Sequence, residues 1–136
     1  MKKCVLLLLT AILCLLLSAC AVNEAMRYED SFDELDISGR INEIAYEIDR
    51  GKTSAYLYAQ LDVVIEDLES ITPEDENLHF INDSFILVAQ TLKKAMDCYA
   101  DKNYSAFQAH YDTAKTLYNS ANNQLNRYKQ IGSTEP

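Results

Sequence analysis

Residues 78–128 read LHFINDSFILVAQTLKKAMDCYADKNYSAFQAHYDTAKTLYNSANNQLNRY, and the fold is decided in this stretch. Leu78, Ile81, Phe85, Val88, Leu92, Ala95 and Tyr99 recur every three or four residues. Tyr104, Phe107, Tyr111, Ala114, Tyr118, Ala121, Leu125 and Tyr128 then do the same. Such spacing lines one face of an α-helix with apolar groups. Asp101-Lys102-Asn103 separates the two stripes, and asparagine tolerates the left-handed conformation that a helix stop often needs. Folding the stripes back on each other pairs Tyr99 with Tyr104, Ala95 with Phe107, Leu92 with Tyr111, Val88 with Ala114 and Phe85 with Tyr118. Large residues face small ones in several layers, as interdigitation requires.

Upstream lie two further stripes: Ile37, Ile41, Ile44 and Ile48, then Leu57, Leu61, Val64, Leu68 and Ile71. Their phases differ by one residue, and the slip falls at Gly51, a natural helix stop, with Thr53 or Ser54 as the next cap. Thr72-Pro73-Glu74 reads as cap, first-turn proline and first-turn acid of the third helix. The expected pairs are Leu68 with Leu78, Leu61 with Phe85, Leu57 with Val88 and Ile41 with Leu61. These readings predict an all-α chain, an antiparallel up-down four-helix bundle over residues 31–131. Its helices span about 32–50, 54–71, 74–101 and 104–130, and a disordered tail follows at 132–136. A three-helix bundle with one long, bent first helix is the other arrangement the pattern allows.

The chain starts MKKCVLLLLTAILCLLLSAC. Lys2 and Lys3 precede an apolar run from Val5 to Leu17, too short for a bilayer core that needs about 20 residues. It suits the apolar part of a secretory signal. Leu17-Ser18-Ala19-Cys20 resembles the lipobox of bacterial lipoproteins: a leucine, two small residues and a cysteine. The resemblance implies a signal peptide at 1–19, cleavage before Cys20, and a diacylglyceryl thioether on Cys20. A polar tether is expected at 20–30. Two or more acyl chains give a stable anchor where one is marginal. The implied location is the extracytoplasmic face of the cell membrane. An outer membrane is also open in a two-membrane host, because Ala21 is not the aspartate of the familiar retention pattern. The stretch from Thr72 to Leu125, with Pro73, Glu74, Glu76 and His79 ahead of a helical pair carrying Ala95, Ala114 and Ala121, is similar to small helical lipoprotein domains, mostly of unassigned function.

Charge narrows the partners. The formal charge is −9, and loss of Lys2 and Lys3 leaves 10 basic against 21 acidic groups, −11. Such a surface repels nucleic acid phosphates and anionic headgroups, so no nucleic acid partner is expected. Cys98 would be the one thiol left in the domain once Cys4 and Cys14 leave and Cys20 is acylated. The fold must therefore rest on its core, without an internal disulfide.

Little here points to chemistry. Glu76-x-x-His79 has the spacing used by di-iron bundles, but the other histidine, His110, lacks a matching acid. On the expected layers the two histidines lie roughly 21 Å apart along the bundle, at 1.5 Å per residue. The acids Glu66, Asp67, Glu69, Glu74, Asp75 and Glu76 sit at a helix end and a helix start, where solvation and the helix dipole account for them. No catalytic residue, metal or cofactor is expected. The feature that stands out is an overhanging tip at 96–107, with Met96, Cys98, Tyr99, Tyr104 and Phe107, at the end remote from the lipid. Exposed aromatic clusters mark partner sites. The expected function is therefore a membrane-anchored, non-catalytic interaction or scaffolding module that binds another exported protein. A pocket lined by Tyr111 and Tyr118 would instead indicate a small-ligand or metal-binding lipoprotein.

Overall fold

Each apolar stripe becomes a helix in the computed structural model, which describes residues 23–133. Helix α1 covers 23–34, α2 Ile37–Asp49, α3 Ala55–Ser70, α4 Glu76–Ala100 and α5 Tyr104–Ser133. The chain is all-α, with no strand among the described residues. Helices α4 and α5 share the most extensive interface, α3 packs on α4, and α2 packs on α3 and more lightly on α4. The core holds Ile37, Ile41 and Ile48 from α2, Leu61, Val64 and Leu68 from α3, and Leu78, Phe85, Val88, Leu92 and Met96 from α4, all essentially solvent-free. Full burial of each such side chain stabilises by about 1.5–3 kcal/mol.

The helix stops follow local chemistry. Gly51 ends α2 in the left-handed region (φ 75°), its N–H bonded to the Ile48 carbonyl at 2.8 Å. A side chain there would strike the Tyr99 ring, so this glycine serves both conformation and packing. Gly51 therefore separates α2 from α3, and no single bent helix runs through both. Ser54 caps α3, its Oγ accepting from the Leu57 N–H at 3.3 Å. Between α4 and α5 it is Lys102 that turns left-handed (φ 59°), while Asn103 Oδ1 accepts from the Ala106 N–H at 3.2 Å. Capping bonds of this type contribute about 1 kcal/mol each.

Several expectations are corrected. The tether predicted to end at Asp30 is helical from residue 23, because Ala25, Tyr28 and Phe32 form an apolar face of their own and are buried. The first helix expected over 32–50 breaks at Leu35–Asp36, where Asp36 takes φ 48°. The cap of the expected third helix lies three residues beyond Thr72. Asp75 is the cap, accepting from Asn77 N–H at 2.8 Å and Leu78 N–H at 3.1 Å. That longer loop changes how α3 meets α4. Asn82 Nδ2 donates to the Leu68 carbonyl at 2.8 Å, and the Tyr58 hydroxyl donates to Asp97 at 2.7 Å, so α4 is displaced from the expected Leu57–Val88 layer by about one turn or more. By contrast, Phe85–Tyr118 (6.0 Å between ring centroids) and Tyr99–Tyr104 (5.4 Å) meet as the stripes predict. The tail expected at 132–136 is helical as far as Ser133. The signal peptide expected at 1–19, the lipobox-like residues 17–20 and the expected lipid site at Cys20 lie outside the described residues.

Candidate functional site

The expected partner tip is mostly closed. Met96 has no exposed surface and Phe107 is 8% exposed. Tyr99 and Cys98 are half-buried. The Tyr99 ring lies over Gly51 and against the rings of Tyr104 and Phe107, at 5.4 and 5.2 Å. Edge-on aromatic pairs of this kind contribute about 0.5–1.5 kcal/mol beyond their burial. The overhang thus folds over the α2–α3 loop, and only Tyr104 of the five side chains remains open, at 57%.

Space opens instead between α2 and α5, which face each other with little direct backbone contact. A groove of about 270 Å³ runs there. Ile41 and Ala45 form one wall, Ala114 and Tyr118 the other, and Val88 and Leu92 of α4 the floor. Small residues create the gap: Ala45 and Ala114 present single methyl groups where longer chains would close it. Two tyrosines of α5 bridge it. The Tyr111 hydroxyl donates to the Ala45 carbonyl at 3.2 Å, and the Tyr118 hydroxyl accepts from Asn42 Nδ2 at 2.8 Å. Asn42, Asp49, Lys115 and Asn119 edge the groove with polar groups. Lys115 Nζ also lies 5.7 Å from the centre of the Tyr111 ring. Burial, with Asp49 and Asp112 nearby, holds the Tyr111 phenol above its usual range, so it stays a neutral donor.

An apolar floor with a few polar groups at the edge is the general form of a small-molecule site, although this one lies just below the roughly 300–1,000 Å³ of drug-sized pockets. It can hold a small, mainly apolar group and meet one polar substituent. The stripe analysis identified Tyr111 and Tyr118. It missed Asn42, Ala45 and Asn119, which flank the stripes, although the absence of any aromatic residue from the α2 stripe was a readable sign of unfilled space.

The other titratable groups do not converge. His79 Nδ1 faces Asp83 at 3.2 Å on the open side of α4, and no trio of His, Cys, Asp or Glu that could hold a metal occurs among the described residues. His110 lies on α5, away from this pair. Among the described residues no helix is long and apolar enough to cross a membrane. No protein-family model, no curated protein and no solved structure matches the chain.

Proposed function

We infer that this is an exported, lipid-anchored and non-catalytic binding module whose groove between α2 and α5 takes a small amphipathic ligand. The groove itself is the observation that carries the reading: apolar floor, bridging tyrosines, polar edge. The anchor is a diacylglyceryl group on Cys20, supported by the basic-apolar leader and by Leu17-Ser18-Ala19-Cys20. The framework is an antiparallel up-down four-helix bundle whose first member is the broken pair α1–α2. Cross-helix contacts support it: Glu29–Lys129 and Asn42–Tyr118 run in opposite senses along α1–α2 and α5, while Tyr28–Asn82 and Phe32–Phe85 run in the same sense along α1 and α4.

Thermal shift and native mass spectrometry with a panel of single-ring amphiphiles test the groove. A binder should raise the Tm of the wild type and leave Ala45→Leu, which fills the groove, unmoved. Equal binding by both proteins would remove the groove as the site. A second reading keeps the distal end as a docking surface for another exported protein. It is favoured by Tyr56 and Tyr104, 69% and 57% exposed near the two distal loops. Crosslinking from position 104 in intact cells would capture such a partner.

A further inference from the structure

The first described helix leaves little slack between fold and lipid. Its opening turn is fastened to the body of the protein. The Glu24 carboxylate accepts from the N–H groups of Glu74 and Asp75, at the start of α4. Ala25 is buried one residue later, and Tyr28 donates from its hydroxyl to Asn82 Oδ1 at 3.2 Å. The chain therefore leaves the fold at Asn23, beside the α3–α4 loop. Only three peptide steps separate Asn23 from Cys20, a span of at most about 10 Å even when fully extended.

We propose that the bilayer surface docks against the end of the molecule formed by Asn23, Arg27 and the loop Ser70–Glu74, so that the bundle stands end-on at a fixed height. This rests on the Cys20 anchor. The reach of the chain keeps this end at the headgroups: a slack of about 10 Å is less than the length of α3, about 24 Å at 1.5 Å per residue, so the distal loops cannot take its place. The excess of acidic over basic groups gives a flank no attraction for headgroups, so the contact stays at the tethered end. A polar cleft of about 430 Å³ lies at this end, lined by Glu24, Arg27, Ser31, Thr72 and Pro73 among others, and it suits wet headgroups and not acyl chains. Charge does not drive the contact, because Glu24, Glu74, Asp75 and Glu76 crowd the same end. Zwitterionic lipid is therefore the fitting surface. In this posture Ala45, 22 residues beyond Asn23, is held roughly 30 Å above the headgroups, with the α2–α5 groove opening sideways.

The test uses the full-length acylated protein in phosphatidylcholine vesicles carrying a headgroup nitroxide. In a Cys98→Ser background a fluorophore is placed at Thr72→Cys or at Lys52→Cys. Strong quenching at 72 and little at 52 is expected. About fifteen glycine and serine residues inserted after Ala21 should erase the difference. Equal quenching at the two positions on acylated protein, or a difference that survives the insertion, would overturn the orientation alone. The intact mass of the mature chain reports the anchor separately, and an unmodified Cys20 would overturn anchor and orientation together.

Discussion

Helices α1 and α2 lie along the same side of α5, yet one seals against its surroundings and the other leaves a groove. Helix α1 brings two rings. Phe32 packs tilted against Phe85 at 4.7 Å, Tyr28 stacks on Phe32 at 5.9 Å, and the Tyr28 hydroxyl is satisfied by Asn82. Glu29 adds an ion pair to Lys129 of α5. Helix α2 brings isoleucines to the core and faces α5 across the groove with Ile41, Asn42, Ala45, Tyr46 and Asp49, none of which packs a ring against α5. Two tyrosines must then reach across from α5, and they bridge the space without filling it. The break at Asp36 separates these regimes, so closure is set by side-chain volume on one helix and not by backbone architecture.

The largest effects should fall on the sealed half. Phe32→Ala should cost about 3–5 kcal/mol in urea unfolding, as large-to-small changes in closed cores do. A loss under about 1 kcal/mol would mean that α1 is only loosely attached. Asn82→Ala comes next. It strands the buried Tyr28 hydroxyl, and leaving such a group unsatisfied costs about 1–3 kcal/mol, while the Leu68 carbonyl keeps the Ile71 N–H. Adding Tyr28→Phe should recover part of that loss.

An alkaline titration tests the buried phenols that hold the helices together. Tyr58 and Tyr128 are pushed up to about 12, by burial first and then by hydrogen bonds to Asp97 and Asp75. Burial pushes Tyr28 higher still. The folded state holds these protons more tightly than the unfolded state, whose tyrosines ionise near 10. The stabilisation is thus complete below pH 10 and is lost as pH rises from about 10 to about 12. Stability followed by circular dichroism should fall over that window, and Tyr58→Phe with Tyr128→Phe should flatten the fall. The smallest effect should be in the open half. Ala45→Leu should shift stability by less than about 1 kcal/mol, because it grows into free space and not into packed atoms.

Much of the fold could be read in the sequence, since a stripe repeating at three and four residues has one burial solution. Phe85–Tyr118 and Tyr99–Tyr104 follow directly from α4 and α5, whose connection is short. The register of α3 on α4 was not legible, because the loop of residues 71–75 delays the cap to Asp75. Helix α1 was hidden in a short, acid-rich segment whose apolar face is only Ala25, Tyr28 and Phe32. The exposure of the tip was not legible, because it depends on what folds over it: Tyr99 covers Gly51, and Met96 is enclosed. The groove could be seen only as a conditional, since stripe positions name the walls but not the distance between them.

The contrast between the two halves can be measured directly by thiol reactivity. With every native cysteine replaced by serine, Ala45→Cys and Ala25→Cys are exposed in turn to a small thiol reagent under native conditions. The open groove predicts that position 45 reacts faster by about tenfold or more, whereas position 25 waits for an opening of α1. Equal protection at the two positions would mean that α2 and α5 are closed together, and the binding groove would not exist.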